Sequence, residues 1–188
     1  MIFLTFRGKL MTNYRRLYTP NSTWFFTVNL AERKNNPLLI EHIDSLRAAF
    51  RYVKTRHPFH INAIVILPEH LHCIWTLPPD DSNYSNRWNQ LKGHFSRSIA
   101  KGERISTSRA KHRERGIWQR RFWAHLIMNQ DDFNRHVDYI HWNPVKHGWV
   151  TQVADWRYSS FHRYVEMGIY PTQWGGGCAE ELHDDMGE

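Results

Sequence analysis

His70 and His72 stand either side of Leu71, directly after the apolar run 61–67 and ahead of the apolar residues 73–77. Both runs read as strands, and alternate residues of a strand face the same side, so the two imidazoles project together from a sheet. Further along, Tyr139 and Asn143 lie four apart near the end of a helical pattern, which sets them one above the other on a single helix face. Two imidazoles and a side-chain amide can hold a divalent metal, and a tyrosine hydroxyl beside that metal can attack a phosphodiester. Such a site exists only if the fold brings a strand pair and a distant helix together.

The elements that must do this follow from the apolar periodicity. Residues 24–30, aromatic and β-branched, read as a first strand. From about 40 to 55, Ile43, Leu46, Phe50 and Val53 recur at helical spacing. Strands over 60–67 and 70–77 follow, turned at Pro68-Glu69 and closed by Pro78-Pro79. A second helix over about 85–100 buries Trp88, Leu91, Phe95 and Ile99, and a fourth strand is expected over 117–127. Asn129 or Asp131 caps a last helix over about 131–142, with acids in its first turn. Pro144 disfavours helical geometry at the residue before it, so this helix is expected to stop there with Asn143 at its rim. His136 falls on the same flank as Tyr139 and Asn143.

This order specifies an α+β fold, a ferredoxin-like split β-α-β with an antiparallel sheet, plus a C-terminal catalytic helix and a docked tail. Helices are expected on one face of the sheet, leaving the other as a seat for a metal and a DNA strand. The chain divides into an N-terminal extension over 1–10, a main domain over 11–165 and a tail over 166–188, loose beyond Tyr170.

Lys and Arg number 25 against 18 Asp and Glu, a net charge of +7, which favours a polyanionic partner. The surplus concentrates in 92–121, where ten cations face only Glu103 and Glu114. Lys92, Arg97, Arg109, Arg113, Arg115, Arg120 and Arg121 are candidate DNA contacts there, with Arg15 and Arg16 upstream. Residues 101–116 lack apolar periodicity and read as a mobile basic loop. Nine Trp, eight Tyr and ten Phe exceed what a core of this size needs, so some rings are candidates for stacking on unpaired bases. Two cysteines, Cys73 in an apolar strand and Cys178, make no disulfide framework and fit a reducing cytoplasm. No apolar run is long enough for a signal peptide or a membrane span.

Pro68-Glu69-His70-Leu71-His72 resembles the His-hydrophobic-His motif of HUH single-strand nucleases and transposases. The run 135–148, from Arg135 to Gly148, is similar to the REP-associated tyrosine transposases, as are Tyr14-Arg15-Arg16, Phe25 to Leu30, Trp118 to Trp123 and Trp156 to Ser160. The resemblance spans roughly 14–164 and, as an ordered set, is specific where a lone HxH is not. It implies a chromosomally encoded relative of insertion-sequence transposases that cleaves single-stranded DNA hairpins, the repetitive extragenic palindromes, through a 5′-phosphotyrosine. Tyr139 would be the nucleophile, and His70, His72 and Asn143 the ligands of Mg²⁺ or Mn²⁺, with no nucleotide cofactor. A monomer is implied, although insertion-sequence relatives act as dimers. The expected location is the cytoplasm, associated with the nucleoid. The family pattern often has Asn where this chain has Glu69, beside the ligand set but outside it.

Each feature also has a plainer reading. An isolated HxH is often only a hydrogen-bonded pair, and Asn before Pro is an ordinary turn signal. A non-cleaving hairpin-binding protein of the same fold and an unrelated His70/His72 metal hydrolase are the alternatives. Tyr139 disfavours the first, and the lack of a nearby carboxylate base disfavours the second.

Overall fold

The computed structural model describes residues 20–175. The expected extension over 1–10, Arg15 and Arg16, and the chain beyond 175 lie outside these. The described elements are β1 (Thr23–Asn29), α1 (Leu38–Glu41), α2 (Ile43–Arg56), β2 (His60–Ile66), β3 (His70–Thr76), α3 (Tyr84–Ser98), α4 (Thr107–Lys111), β4 (Trp123–Leu126), α5 (Gln130–Lys146), a 3-10 turn (Val153–Asp155) and α6 (Phe161–Glu166).

The sheet has the order β2-β3-β1-β4, antiparallel throughout. With α2 between β1 and β2 and α3 between β3 and β4, this is the split β-α-β arrangement expected from the sequence. Period-2 alternation divides the strands cleanly. Trp24, Phe26, Val28, Leu71, Cys73 and Trp75 point to α2 and α3, where Leu46, Phe50, Val53, Trp88, Leu91 and Phe95 complete the larger core. Trp75 stacks on Trp88 with ring centroids 4.2 Å apart. Each such buried side chain contributes about 1.5–3 kcal/mol, so this face holds most of the stability.

The other face is not left open. Phe25, Ala63, Val65 and Ile74 are covered by Val137, Tyr139 and Ile140 of α5 and by Tyr164. The chain therefore sandwiches its sheet between helices, and the expected open seat is instead a roofed one. The reason is compositional: Phe25 and Ile74 are large apolar residues on the second face and need a cover.

Three local expectations are corrected. First, α5 continues through Pro144 to Lys146. The ring removes only one backbone donor, and the ladder resumes at once, with His147 N bonding Asn143 O (3.0 Å) and Trp149 N bonding Pro144 O (2.9 Å). Asn143 is thus fully buried inside the helix rather than set at its rim. Second, the fourth strand is confined to Trp123–Leu126. Residues 117–122 bend away because Ile117, Trp118 and Phe122 pack into the larger core, leaving one isolated bridge between Leu30 and Trp118. Third, the basic segment 101–116 is built: Ser106 caps α4, and Arg115 donates to the carbonyls of Ser96, Ile99 and Ala100 at 2.7–3.0 Å while pairing with Glu103. Arg115 thereby satisfies carbonyls at the end of α3, where the helix dipole favours a cation.

The C-terminal part docks as expected, and farther than expected. Trp156 Nε1 donates to Ile66 O (3.0 Å), and Tyr170 and Trp174 stack with Phe161 and Tyr164. Among the described residues no helix is long and apolar enough to cross a membrane.

Arg87, buried at the start of α3, bonds the carbonyls of His57, Pro58 and Asn83 and the carboxylate of Asp81. Arg87→Met fills the space but orphans those carbonyls; a loss of about 2–3 kcal/mol in urea unfolding is expected. Arg115 holds the Glu103 carboxyl down at about 2, below its ordinary value. Folding is therefore favoured by this pair above the ordinary carboxylate range, and the contribution fades as pH falls towards 2. Thermal unfolding of Glu103→Gln should show a deficit of about 0.5–1 kcal/mol at neutral pH that closes on acidification.

Candidate active site under the α5 roof

The antiparallel register sets Thr27 opposite His72 and Asn29 opposite His70. All four side chains stand on the α5 face, and the two imidazoles lie 4.9 Å apart, centroid to centroid, at a steep mutual angle. Both are fully buried. Each is anchored through Nδ1: Glu69 Oε1 is 3.0 Å from that nitrogen of His70, and Thr27 Oγ1 is 2.9 Å from that of His72. A carboxylate only accepts, so His70 Nδ1 carries the proton and Nε2 the lone pair. Burial pushes His70 below its ordinary pKa, partly opposed by Glu69, and so favours the neutral ring that ligates metals. Burial alone would raise Glu69, but its bond to His70 and the nearby Arg33 outweigh this and lower it.

α5 brings Tyr139 and Asn143 over this pair. The Tyr139 ring centroid is 5.2 Å from that of His72, and the residue is 1% exposed. Lys146 Nζ sits 5.0 Å from the same ring centroid, and His147 packs on His70 at 5.1 Å. Phe25 touches both His72 and Tyr139, fixing the spacing between strand and helix. Among the described residues, His70 Nε2 and both amide atoms of Asn143 are buried without a hydrogen-bond partner. Orphaned polar atoms cost about 1–3 kcal/mol each, a cost that a ligand or water bound between them would remove. A divalent ion fits this donor set: imidazole nitrogen and amide oxygen suit Mn²⁺, and Mg²⁺ with retained waters.

Two residues here escape reading from sequence. Glu69 acts as the carboxylate partner of a ligand-type histidine, which steadies such rings and raises their basicity. Asn29, opposite His70, buries an amide oxygen with no partner among the described residues. The alternation Phe25-Thr27-Asn29 was the signal that places it on the site face.

His125, Asp132 and His136 form a second cluster, each offering a ligand-type atom within 4.8 Å of the others, a set that could hold a metal ion. In this arrangement it is a hydrogen-bonded clamp. His125 Nε2 and Met128 N both donate to Asp132 Oδ2 at 2.9 Å, and His136 Nδ1 donates to the Asp132 carbonyl at 2.8 Å. The two rings stack nearly parallel, 17° apart, so their in-plane lone pairs do not converge on one point. The clamp ties β4 to the first turn of α5.

The basic residues are brought together as well. Lys92, Arg97, Arg109, Arg113, Arg115 and Arg120 line one depression of about 520 Å³. Several also serve the fold: Lys92 bonds Gln119 O (2.9 Å), Arg109 bonds Arg115 O (2.9 Å), and Arg120 pairs with Glu114 (2.7 Å). Arg121 is exposed but does not line it. The depression lies along α3, on the side of the sheet away from Tyr139.

The family described as "Transposase IS200 like" matches residues 23–143. A REP-associated tyrosine transposase of Escherichia coli (strain K12) is 49% identical over 170 residues, covering 90% of this chain and 94% of that protein. A solved structure of a REP-associated tyrosine transposase bound to a REP hairpin superposes with a TM-score of 0.79 at 46% identity, over 95% of this chain and 98% of that one.

Glu69→Ala frees the His70 ring to rotate. Titration calorimetry with Mn²⁺ should show an affinity about 10–100-fold weaker than wild type, and a smaller loss for Glu69→Gln, which keeps an acceptor oxygen.

Proposed function

The chain belongs to the IS200-like transposase family, and from that premise we propose that it cleaves and rejoins single-stranded DNA at repetitive extragenic palindrome hairpins, with Tyr139 as nucleophile. What carries the reading is the approach of the Tyr139 ring to His72, 5.2 Å between centroids, beside buried donors that lack partners. The 46% identical structure holds a REP hairpin, which supports the same substrate class here.

In this mechanism His70, His72 and Asn143 would hold the divalent ion. A bound Mg²⁺ or Mn²⁺ supplies Lewis-acid polarisation of the scissile phosphate and offsets charge in the transition state. Tyr139 Oη forms a bond to phosphorus as the bond from phosphorus to the 3′ oxygen breaks. The phenol loses its proton and the departing 3′ oxygen gains one. The product is a 5′-phosphotyrosine and a free 3′-hydroxyl. The ester exchange conserves the number of phosphodiester bonds, so a second 3′-hydroxyl can reverse it and join strands without ATP. Lys146 stands as a cation beside the reacting phenol. Because Tyr139 is almost fully covered, substrate must displace the side chains above it, Lys146 among them.

Binding rests on phosphate contacts from the basic depression, with Arg97, Arg113 and Arg120 its exposed cations and Arg15, Arg16 and Arg121 further candidates. Such contacts make affinity fall steeply with salt.

The test is incubation with a hairpin oligonucleotide carrying single-stranded flanks, plus Mn²⁺, followed by a denaturing gel. Wild type should give a covalent adduct and a shortened strand. Tyr139→Phe should keep binding and lose the adduct, and His70→Ala should bind without cutting. An adduct that persists in Tyr139→Phe sinks the assignment; binding with no adduct in wild type favours a non-cleaving hairpin binder instead.

A further inference from the structure

The basic depression and Tyr139 lie on opposite sides of the sheet, and β4 is the edge between them. Trp118, Gln119 and Arg120 line the depression and lead directly into β4, whose first residue is Trp123. Trp123 is 36% exposed, unusual for so large an apolar ring in a sheet with a helix on each face. Its register partner is Thr27, whose own partner is His72, so the three side chains form one cross-strand row on the α5 face. Two strand spacings, about 10 Å, separate Trp123 from His72 along that row. The indole is also backed by other rings: it lies parallel to His125, 3° apart with centroids at 5.6 Å, and His125 stacks in turn on His136 at 4.7 Å. His136 packs on Phe25, which touches Tyr139. A partly exposed indole at the head of a ring stack suits one ligand chemistry, the flat face of an unpaired base.

We propose that Trp123 is a stacking platform for an unpaired base of single-stranded DNA that crosses the β4 edge on its way to Tyr139. The proposal rests on the functional reading above and adds the path of the strand. A base held on Trp123 sets the register of the backbone beside it, so the platform governs which phosphate meets the nucleophile. The stack transmits that placement to α5 through the clamp made by Asp132.

The test uses the Tyr139→Phe chain, which cannot cut, and measures affinity for a blunt hairpin and for the same hairpin with a single-stranded flank. Trp123→Leu should weaken the flanked probe by about tenfold to a hundredfold and leave the blunt probe unchanged, with Trp123→Phe between. An abasic residue walked along the flank should reproduce the loss at one position, and the two losses should not add. Equal affinity for the flanked probe, an equal loss on the blunt hairpin, or additive losses would each overturn the platform. In the cleavable chain, adduct formation that ignores Trp123→Leu likewise removes the platform while leaving the transposase reading intact. A parent chain that binds neither probe overturns both.

Discussion

The pairing of β1 with β3 is the constraint on which the rest depends. Its register sets Thr27 against His72 and Asn29 against His70, and the same alternation sends Phe26, Val28, Leu71, Cys73 and Trp75 to the opposite core. A slip of one residue would carry the imidazoles into that apolar core and turn Trp75 under α5. The burial that stabilises the larger core therefore also fixes the orientation of the site histidines. Stability and chemistry are specified by one periodicity.

The second constraint is how α5 is held over the pair. Apolar contact through Val137 and Ile140 gives the adhesion, while polar ties set the position. Asp132 pins its first turn to β4, His141 Nε2 and Ser160 Oγ meet at 2.9 Å, and Tyr170 bonds Asp138. These ties come from β4, from the start of α6 and from the segment after it. They leave the helix little freedom to slide, as the role proposed for Tyr139 requires if it is to meet a phosphate held by other elements. The cost is a buried tyrosine and several polar atoms without a hydrogen-bond partner among the described residues.

Charge is arranged with the same double use. Arg115 closes the end of α3, Lys92 and Arg109 fasten neighbouring loops, and all three still line the basic depression. Cations whose stems and donors are already ordered lose less entropy on meeting a phosphate than free surface lysines do. The segment 101–116 owes its shape to these bonds rather than to apolar burial, which is why hydrophobic pattern gave no hint of it.

By itself the sequence determined what depends on local period and residue type. The strand–helix order, the shared face of His70 and His72, the pairing of Tyr139 with Asn143 on one helix and the gathering of basic residues near 92–121 were all legible, because each follows from spacings of two or four along the chain. Tertiary structure decided what depends on competition between elements. Phe25 and Ile74 required a cover, so α5 became a roof over both imidazoles. Packing around Asn143 carried the helix through Pro144 against its local preference. Thr27 acquired its role only when β1 met β3, since a hydrogen bond between residues 45 apart leaves no periodic trace in the sequence that makes it.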